Sequence, residues 1–376
     1  MKILHTSDWH VGRRIRGRDR SGEHREALAE VAAIAAEHDV DLTVVAGDVF
    51  DTSSPPPAAE EIVWRTMLDL AAIAPVLVVS GNHDSQARLD AVAPLLEMGR
   101  VTMVGAPAKP DEGGVVHLAE VGVKAAMLPF VSQRGIVKVE DMMTSDPDQH
   151  AGKYAERMKR IVSALTEDMT PDTVNLLVSH LTVFGAEAGG GERQAHTVFD
   201  YAVPTSIFPG HLNYVALGHL HRQQKVPHAG QVWYSGSPLQ LDFGEVDDRK
   251  GVLLVDTEAG KPARVTTIPL NSGRRLMTLR GTLADVLSRA DETADAYVKV
   301  ILAEKGRVGL ADEVRAAIPN AVDVVLETPE ERPGREVDER ETLVPGEAFH
   351  RYLAESDQDD PEVERLFAEL LEEALA

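Results

Sequence analysis

Five short segments of the chain carry side chains that can bind a metal ion, and each segment follows an apolar, strand-like run. The segments are Asp8-Trp9-His10, Gly47-Asp48, Gly81-Asn82-His83-Asp84, Ser179-His180 and Gly218-His219-Leu220-His221. In open α/β sheets, functional groups collect beyond the carboxyl ends of the strands. We therefore expect the five segments to meet at one site.

The chemistry of these side chains indicates a centre for two metal ions. The candidate ligands are Asp8, His10, Asp48, Asn82, His180, His219 and His221. Oxygen and nitrogen ligands without sulfur suit manganese, iron or zinc. Seven ligands are too many for one structural zinc ion, but they suit two ions about 3.5 to 4 Å apart that share a carboxylate, as in phosphatases and nucleases. Each motif alone is weak; together they predict hydrolysis of a phosphate ester.

The charge distribution bears on whether the substrate is rich in phosphates. The 376 residues carry a formal net charge of −23, which by itself disfavours DNA. Residues 327–376 hold 17 acidic and 5 basic side chains, so the excess is concentrated there. A basic stretch directly after the first metal motif supplies the candidate DNA contacts Arg13, Arg14, Arg16 and Arg18. Arg193, in a glycine-rich segment, is a fifth candidate; a solvated helix entry and an ordinary surface loop are the alternatives.

Alternating strand-like runs and helical periodicity predict an α/β sheet with helices packed on it. Strands are expected near residues 3–4, 42–46, 76–79, 101–104 and 174–178, and helices from about Ser21 and over 57–73, 86–98 and 154–168. Shorter runs between 213 and 270 suggest a second sheet. A βαβαβ pattern then restarts near residue 273, which predicts a small separate domain.

The cellular location is predicted from what the sequence lacks. No apolar run reaches the roughly 18 to 20 residues that span a bilayer. The N-terminus enters directly on a predicted strand without a secretion signal, and there is no cysteine. These features predict a cytoplasmic protein without membrane contact.

The five motifs, read as a series, resemble those of the calcineurin-like metallophosphoesterases. Longer stretches at 6–12, 47–52, 179–183 and 234–245 are similar to the DNA double-strand-break-repair nucleases of that superfamily. The resemblance covers about residues 1–270 and implies a four-layer αββα sandwich. It also implies three parts: a nuclease domain over 1–272, a small α/β capping domain over 273–327, and an acidic linker with a C-terminal helical tail over 328–376.

The resemblance assigns a role to each site residue. It implies that Asp8, His10, Asp48 and His221 hold one metal ion and that Asp48, Asn82, His180 and His219 hold the other. His83 would contact the scissile phosphate and protonate or stabilise the leaving oxygen, and Asp84 would orient His83 or cap the following helix. Archaeal relatives have a histidine where this chain has Asp51, so a phosphate-handling role is not transferred to that position.

The resemblance further implies a manganese-dependent DNA nuclease, acting as a 3′ to 5′ exonuclease on duplex ends and as an endonuclease on hairpins or single strands. An SMC-like ATPase partner would bind the C-terminal stripe of Val363, Leu366, Phe367, Leu370 and Leu371. Helices 57–73 and 86–98 would form a homodimer; the alternative is core packing, which is the usual reason for apolar stripes of this kind. A small-substrate phosphatase or cyclic-nucleotide phosphodiesterase is the main alternative, and a non-enzymatic scaffold is the second.

Overall fold

The structure is a computed structural model that describes residues 1–132, 154–192 and 202–327, together with residues 135, 136, 139, 349, 352, 353, 363, 366 and 367. Its first sheet has the order β14 (Arg264–Pro269), β13 (Gly251–Asp256), β1 (Lys2–Thr6), β2 (Leu42–Val45), β3 (Val76–Val79) and β4 (Val101–Val104). Its second sheet has the order β11 (Gln224–Lys225), β12 (Val232–Tyr234), β10 (Tyr214–Gly218), β7 (Val174–His180), β6 (Val123–Leu128) and β5 (Val115–Leu118). Strands β8 (Thr182–Val183) and β9 (Ala202–Val203) form a separate short pair.

The two sheets are stacked between layers of helices. Helices α1 (Ser21–Glu37), α2 (Pro57–Ile73) and α3 (Gln86–Glu97) pack on one sheet, and α4 (Tyr154–Thr166) packs on the other. Because successive strand residues point to opposite faces, Val76 and Val78 of β3 contact the helices while Leu77 and Val79 enter the core between the sheets. Strands buried on both faces read as continuous apolar runs, which is why they could be predicted. The predicted α/β class with αββα layers is confirmed.

The expected second sheet over 213–270 is only partly correct. Strands β10 to β12 do belong to the second sheet, but β13 and β14 return to the first sheet, where β13 pairs antiparallel with β1. The first five residues of β13 are all buried, which is typical of a strand inside a sheet. β13 pairs with β1 on one side and with β14 on the other. Local apolar pattern predicts a buried strand but does not say which strand it pairs with.

A smaller unit follows, built on the parallel strands β15 (Arg275–Gly281), β16 (Ala296–Leu302) and β17 (Ala321–Leu326). Helices α5 (Leu283–Ser288) and α6 (Leu310–Ala317) contribute to its own hydrophobic core. Residues of β16 alternate between buried and half-buried, as expected for a sheet with helices on one face only. This is the small C-terminal α/β unit that the sequence predicted.

The small unit is joined to the sandwich by a buried polar cluster. The Arg20 side chain is fully buried, and its Nη2 lies 2.9 Å from the carboxylate of Glu23. The hydroxyl of Tyr297, on β16, donates to that same carboxylate at 3.0 Å, and the Arg20 guanidinium lies 5.9 Å from the centre of the Tyr297 ring. A neighbouring apolar cluster contains Ile15, Phe243 and Leu276.

Among the residues that the structure describes, no helix is long and apolar enough to cross a membrane.

A buried histidine on α1 is expected to make the fold acid-sensitive. His24 is 1% exposed, and burial, helped by the charge of Arg20, lowers its pKa to about 4. Above pH 6.5 His24 is neutral in both the folded and the unfolded chain. As the pH falls from 6.5 toward 4 only the unfolded chain gains the proton, so the folded state loses about 2 kcal/mol by pH 5.

Chemical denaturation with EDTA at pH 7.5 and pH 5 measures this loss. His24→Leu is expected to remove about 2 kcal/mol of the pH dependence of the free energy of unfolding. His117→Leu, at an exposed position on β5, is the control and should keep the pH dependence of the wild type. The prediction is contradicted if the free energy of unfolding changes by the same amount between pH 7.5 and pH 5 in the wild type and in His24→Leu.

Candidate metal centre

The structure brings the predicted ligands together in one buried cluster. Asp8, Asp48 and Asn82 follow β1, β2 and β3 of the first sheet, whereas His180 ends β7 and residues 219–221 follow β10 of the second sheet. None of the seven side chains is more than 8% exposed. The five segments were expected to meet at one site, and they do so where the strand ends of the two sheets meet.

Four candidate ligands have a strained backbone. Asp8, His10, Asp48 and His219 have φ values of 52°, 44°, 50° and 102°, in a region that residues with a β-carbon rarely occupy. Such conformations cost about 1 to 3 kcal/mol each and cluster at functional sites. The loops are tied together by main-chain hydrogen bonds that offset this cost, in which the amide of Asp8 donates to Gly47 at 2.9 Å and the amide of His10 donates to Asp48 at 3.0 Å.

The glycines that precede the ligands allow the main chains to approach closely. A β-carbon at Gly218 would overlap the carbonyl oxygen of Ala46, on the loop from the opposite sheet. At Gly81 it would overlap the carboxylate of Asp48. The Gly-Asn and Gly-His motifs therefore have a packing reason as well as a chemical one.

The first group of ligand atoms consists of two imidazoles and two carboxylates. The Nε2 atoms of His10 and His221 face each other at 3.1 Å. Asp8 contributes a carboxylate oxygen within 4.8 Å of a ring nitrogen of each. The Asp8 carboxylate is itself held by the amide of His219, at 2.9 Å.

The second group lies on the other side of Asp48. His219 Nδ1 and His180 Nε2 are 3.2 Å apart, and the side-chain oxygen of Asn82 lies 2.8 Å and 3.0 Å from them. One oxygen of Asp48, Oδ2, lies 3.4 Å from His180 Nε2 and 3.5 Å from His10 Nε2. Asp48 therefore stands between the two groups of imidazoles.

The acceptors that lie behind two of these histidines fit cation binding. His180 Nδ1 lies 2.8 Å from the carbonyl oxygen of Ala46, and His221 Nδ1 lies 2.9 Å from the carboxylate of Glu245. An acceptor at Nδ1 fixes the ring proton there, so that Nε2 of a neutral imidazole presents a lone pair. The Nε2 atoms of both rings face other candidate ligand atoms in a buried cluster that contains aspartates. These nitrogen and oxygen donors fit a site for two divalent ions.

His83 and Asp84 lie beside this cluster. His83 Nδ1 is 2.8 Å from the carbonyl oxygen of Asp51, which occupies the orienting position that the resemblance gave to Asp84. The Asp84 carboxylate instead accepts hydrogen bonds from main-chain amides, those of Val49, Phe50 and Gly81. The helix that follows is capped by Ser85, so the prediction of Asp84 as its cap is wrong; Asp84 lies one residue too early and its oxygens are taken up by the ligand loops.

The charges of the cluster shift the pKa values of its members. Burial, followed by the negative charge of Asp48, raises the pKa of Asp84 to about 6. Burial opposes protonation of His180, but the charge of Asp48 outweighs it and raises the pKa of His180 to about 9. Burial also opposes ionisation of Asp51, but its contact with His10 lowers the pKa of Asp51 to about 2. The raised pKa of His180 indicates a centre that favours positive charge.

Two of the five arginines predicted to contact DNA are engaged in ion pairs. Arg13 Nη1 lies 3.3 Å from a carboxylate oxygen of Asp51, beside the candidate metal ligands. Arg16 Nε lies 2.8 Å from a carboxylate oxygen of Asp323, on β17 of the small unit. Arg14 and Arg18 are exposed, and Arg193 lies outside the described residues.

The surfaces predicted to bind protein partners are partly described. Helices α2 and α3 match the predicted spans to within one residue, and Leu68, Leu95 and Met98 on and beside them are 50%, 71% and 87% exposed. Of the C-terminal stripe, Val363 and Leu366 are 39% and 53% exposed. The ring of Phe367 stacks on Phe349 at 3.8 Å, and Leu370 and Leu371 lie outside the described residues.

Two family models match successive parts of the chain. Residues 1–223 match the family model for calcineurin-like phosphoesterases, and residues 272–357 match the model described as type 5 capsule protein repressor C-terminal domain. The chain is 30% identical over 382 residues to the SbcD subunit of nuclease SbcCD from Bacillus subtilis (strain 168), covering 98% of this chain and 97% of that protein. It is 31% identical over 306 residues to the SbcD subunit of Escherichia coli (strain K12), covering 78% and 74%. A solved structure of a dimetal phosphatase from Danio rerio has a TM-score of 0.43 at 12% identity, covering 71% of this chain and 98% of that chain.

The chain belongs to the calcineurin-like phosphoesterases, a class whose fold and buried His/Asp cluster it shares. Within that class, the identity over nearly its whole length makes it a member of the SbcD nuclease family. The resemblance inferred from the motifs is thereby confirmed, and so is the expectation of an enzyme that hydrolyses phosphate esters.

Proposed function

We propose that the chain is the DNA-cleaving subunit of a cytoplasmic complex with an SbcC-type, SMC-like ATPase. It cuts phosphodiester bonds with manganese, as a 3′ to 5′ exonuclease on duplex ends and as an endonuclease on hairpins and single strands. The proposal is carried by the position of Asp48 between two groups of imidazole nitrogens, 3.5 Å and 3.4 Å away, in a chain related to the SbcD subunit of nuclease SbcCD.

Each residue of the centre has a proposed role. Asp8, His10, Asp48 and His221 hold one Mn²⁺ ion, and Asp48, Asn82, His180 and His219 hold the other. When bound, two such ions offset the charge of the phosphate and activate water for an in-line displacement. His83, whose Nδ1 is held by the carbonyl of Asp51, presents Nε2 toward the substrate and gives a proton to the leaving oxygen. Asp84 keeps the ligand loops in register through the three amides that it accepts from.

The DNA backbone is proposed to run over the basic loop after β1. Arg14 and Arg18 are exposed there and can reach phosphates directly. Arg13 and Arg16 must first exchange their partners Asp51 and Asp323 for phosphates. Arg193, in the glycine-rich segment, is a fifth proposed contact with the DNA backbone, and this proposal rests on the sequence.

The assembly is proposed from the exposed apolar surfaces. A homodimer forms through 57–73 and 86–98, where Leu68 and Leu95 offer apolar area to a second copy. The C-terminal helix around Val363, Leu366, Phe367 and Leu370 docks on the ATPase. The parts are the nuclease domain (1–272), the capping domain (273–327) and the linker with the partner-binding helix (328–376).

Digestion of end-labelled linear duplex DNA by the purified chain tests the activity. We expect shortening with added manganese, much slower shortening with magnesium, and none with EDTA. Labelling the two ends separately reports the polarity, and a hairpin substrate reports the endonuclease. If DNA stays intact with and without added SbcC while a small phosphodiester is cleaved with the same manganese dependence, the substrate is a small phosphodiester and the DNA assignment is wrong.

A further inference from the structure

We propose that Glu245 and Asp51, which lie outside the ligand set, are positioning residues that make the ion held by Asp8, His10, Asp48 and His221 the more tightly bound of the two. The inference rests on the proposed two-metal site and adds an order of affinity to it. It follows from what lies behind His10, His221 and His180, on the ring nitrogen that faces away from the other ligands.

Glu245 holds His221 from behind. Its carboxylate is fully buried, with Oε1 2.9 Å from His221 Nδ1. The other oxygen, Oε2, lies 2.7 Å from Lys250 Nζ and accepts from the amide of Leu241 at 3.0 Å. These three contacts fix the carboxylate, so the ring of His221 is held with its proton on Nδ1 and Nε2 facing His10.

The glycine-rich loop closes over this pair. A β-carbon at Gly191 would overlap the Oε1 atom of Glu245 and would lie 2.9 Å from His221 Nδ1. The same loop places Glu192 so that its carboxylate accepts from the main-chain amide of His221 at 2.9 Å. The contact between Glu245 and His221 is therefore enclosed by main chain, which shields it from solvent and strengthens its electrostatic effect.

Asp51 lies behind the other histidine of the same group. Its Oδ1 is 3.4 Å from His10 Nδ1 and 3.3 Å from Arg13 Nη1. The longer distance makes this contact weaker than that of Glu245. In the first group, a carboxylate therefore lies next to the Nδ1 atom of both histidines, His10 and His221.

The second group is built differently. The Nδ1 atom of His180 lies 2.8 Å from the main-chain carbonyl of Ala46, which carries no net charge. A carboxylate behind a ligating imidazole raises its basicity more than a neutral carbonyl does, and loss of such a partner costs about 10- to 100-fold in metal affinity. The first group therefore binds its ion more tightly than the second.

Titration of the metal-free chain with Mn²⁺, followed by the electron paramagnetic resonance signal of free Mn²⁺, measures both affinities without reference to cleavage. We expect two classes of site in the wild type. Glu245→Gln should weaken the tight class about 10- to 100-fold and leave the weak class within about threefold. Asp51→Asn should weaken the same class by a smaller factor. Asp248→Asn is the matched control, because Asp248 is also buried and also near Lys250 but pairs with Arg222 instead of a histidine.

The outcomes separate this inference from the proposed function. If the wild type binds two ions and Glu245→Gln weakens both equally, or only the weak class, the order of affinity is wrong while the two-metal site stands. If the wild type does not bind two ions, the proposed function itself fails. Cleavage by Glu245→Gln should recover at saturating Mn²⁺, which a variant damaged in its general structure would not do. Asp51→Asn, at a position 17% exposed, keeps the test valid if Glu245→Gln does not fold.

Discussion

Asp48→Asn is expected to abolish cleavage and to reduce metal binding from two ions to less than one ion per chain. Its carboxylate lies between the two groups of imidazoles, and two divalent ions a few ångströms apart repel each other strongly unless a negative charge stands between them. Asparagine keeps the shape of the side chain and can still accept from the amide of His83, which lies 2.8 Å from Oδ1. The change therefore removes the charge and replaces Oδ2, the oxygen that lies near His10 and His180, by an NH2 group that cannot bind a metal ion.

Binding and cleavage are both measured on Asp48→Asn. In the Mn²⁺ titration, we expect the stoichiometry to fall from two to below one. Digestion of end-labelled DNA should fall to the level seen with EDTA. Asp69→Asn, on the exposed face of α2, is the control and should behave as the wild type. Retention of two ions by Asp48→Asn would show that Asp48 does not bridge the two groups.

His83→Ala is expected to separate cleavage from metal binding. Loss of a well-placed proton donor lowers the rate by about 10²- to 10⁴-fold. The two Mn²⁺ affinities should stay close to those of the wild type, because the ring is held by the carbonyl of Asp51 and is not needed as a ligand. The rate at saturating Mn²⁺ and the Mn²⁺ titration together measure this split.

His83 also lies close enough to the cluster for a competing role as a metal ligand. A ring nitrogen of His83 lies within 4.8 Å of ligand atoms of both His10 and Asp48. If His83 were a ligand, His83→Ala would lose an ion and its rate would rise again with excess Mn²⁺. A rate that stays low at every Mn²⁺ concentration supports the role of proton donor. His117→Ala, at an exposed site, is the control.

Much of the fold could be predicted because its signals are local. The run at 76–79 is apolar on both faces and is strand β3, and the periodic segment 57–73, with proline at its first position, is helix α2. The convergence of the motifs was predicted for a general reason, since parallel strands carry their loops to one end. The strand and the helix depend on residues close together in the chain, and the convergence follows once the strands are parallel.

What the sequence did not reveal depends on contacts between distant residues. Strand β13 joins β1 from the far end of the sandwich sequence, with Asp256 opposite Lys2, and no local pattern specifies that pairing. Glu245 lies within a stretch singled out by the resemblance, yet only the structure shows that it reaches His221. The positive φ values of Asp8 and Asp48 were equally hidden, because neither position is a glycine.

The contact of Gly218 with the carbonyl oxygen of Ala46 sets how close the two sheets come at the metal centre. No residue is smaller than this glycine, and even alanine would force the neighbouring loops apart. Substitution of this glycine therefore cannot make the site narrower, and any larger residue makes it wider in one abrupt step. We therefore expect preference for one metal over another to depend on the ligand atoms and the groups behind them, because the spacing at Gly218 cannot be adjusted in small steps.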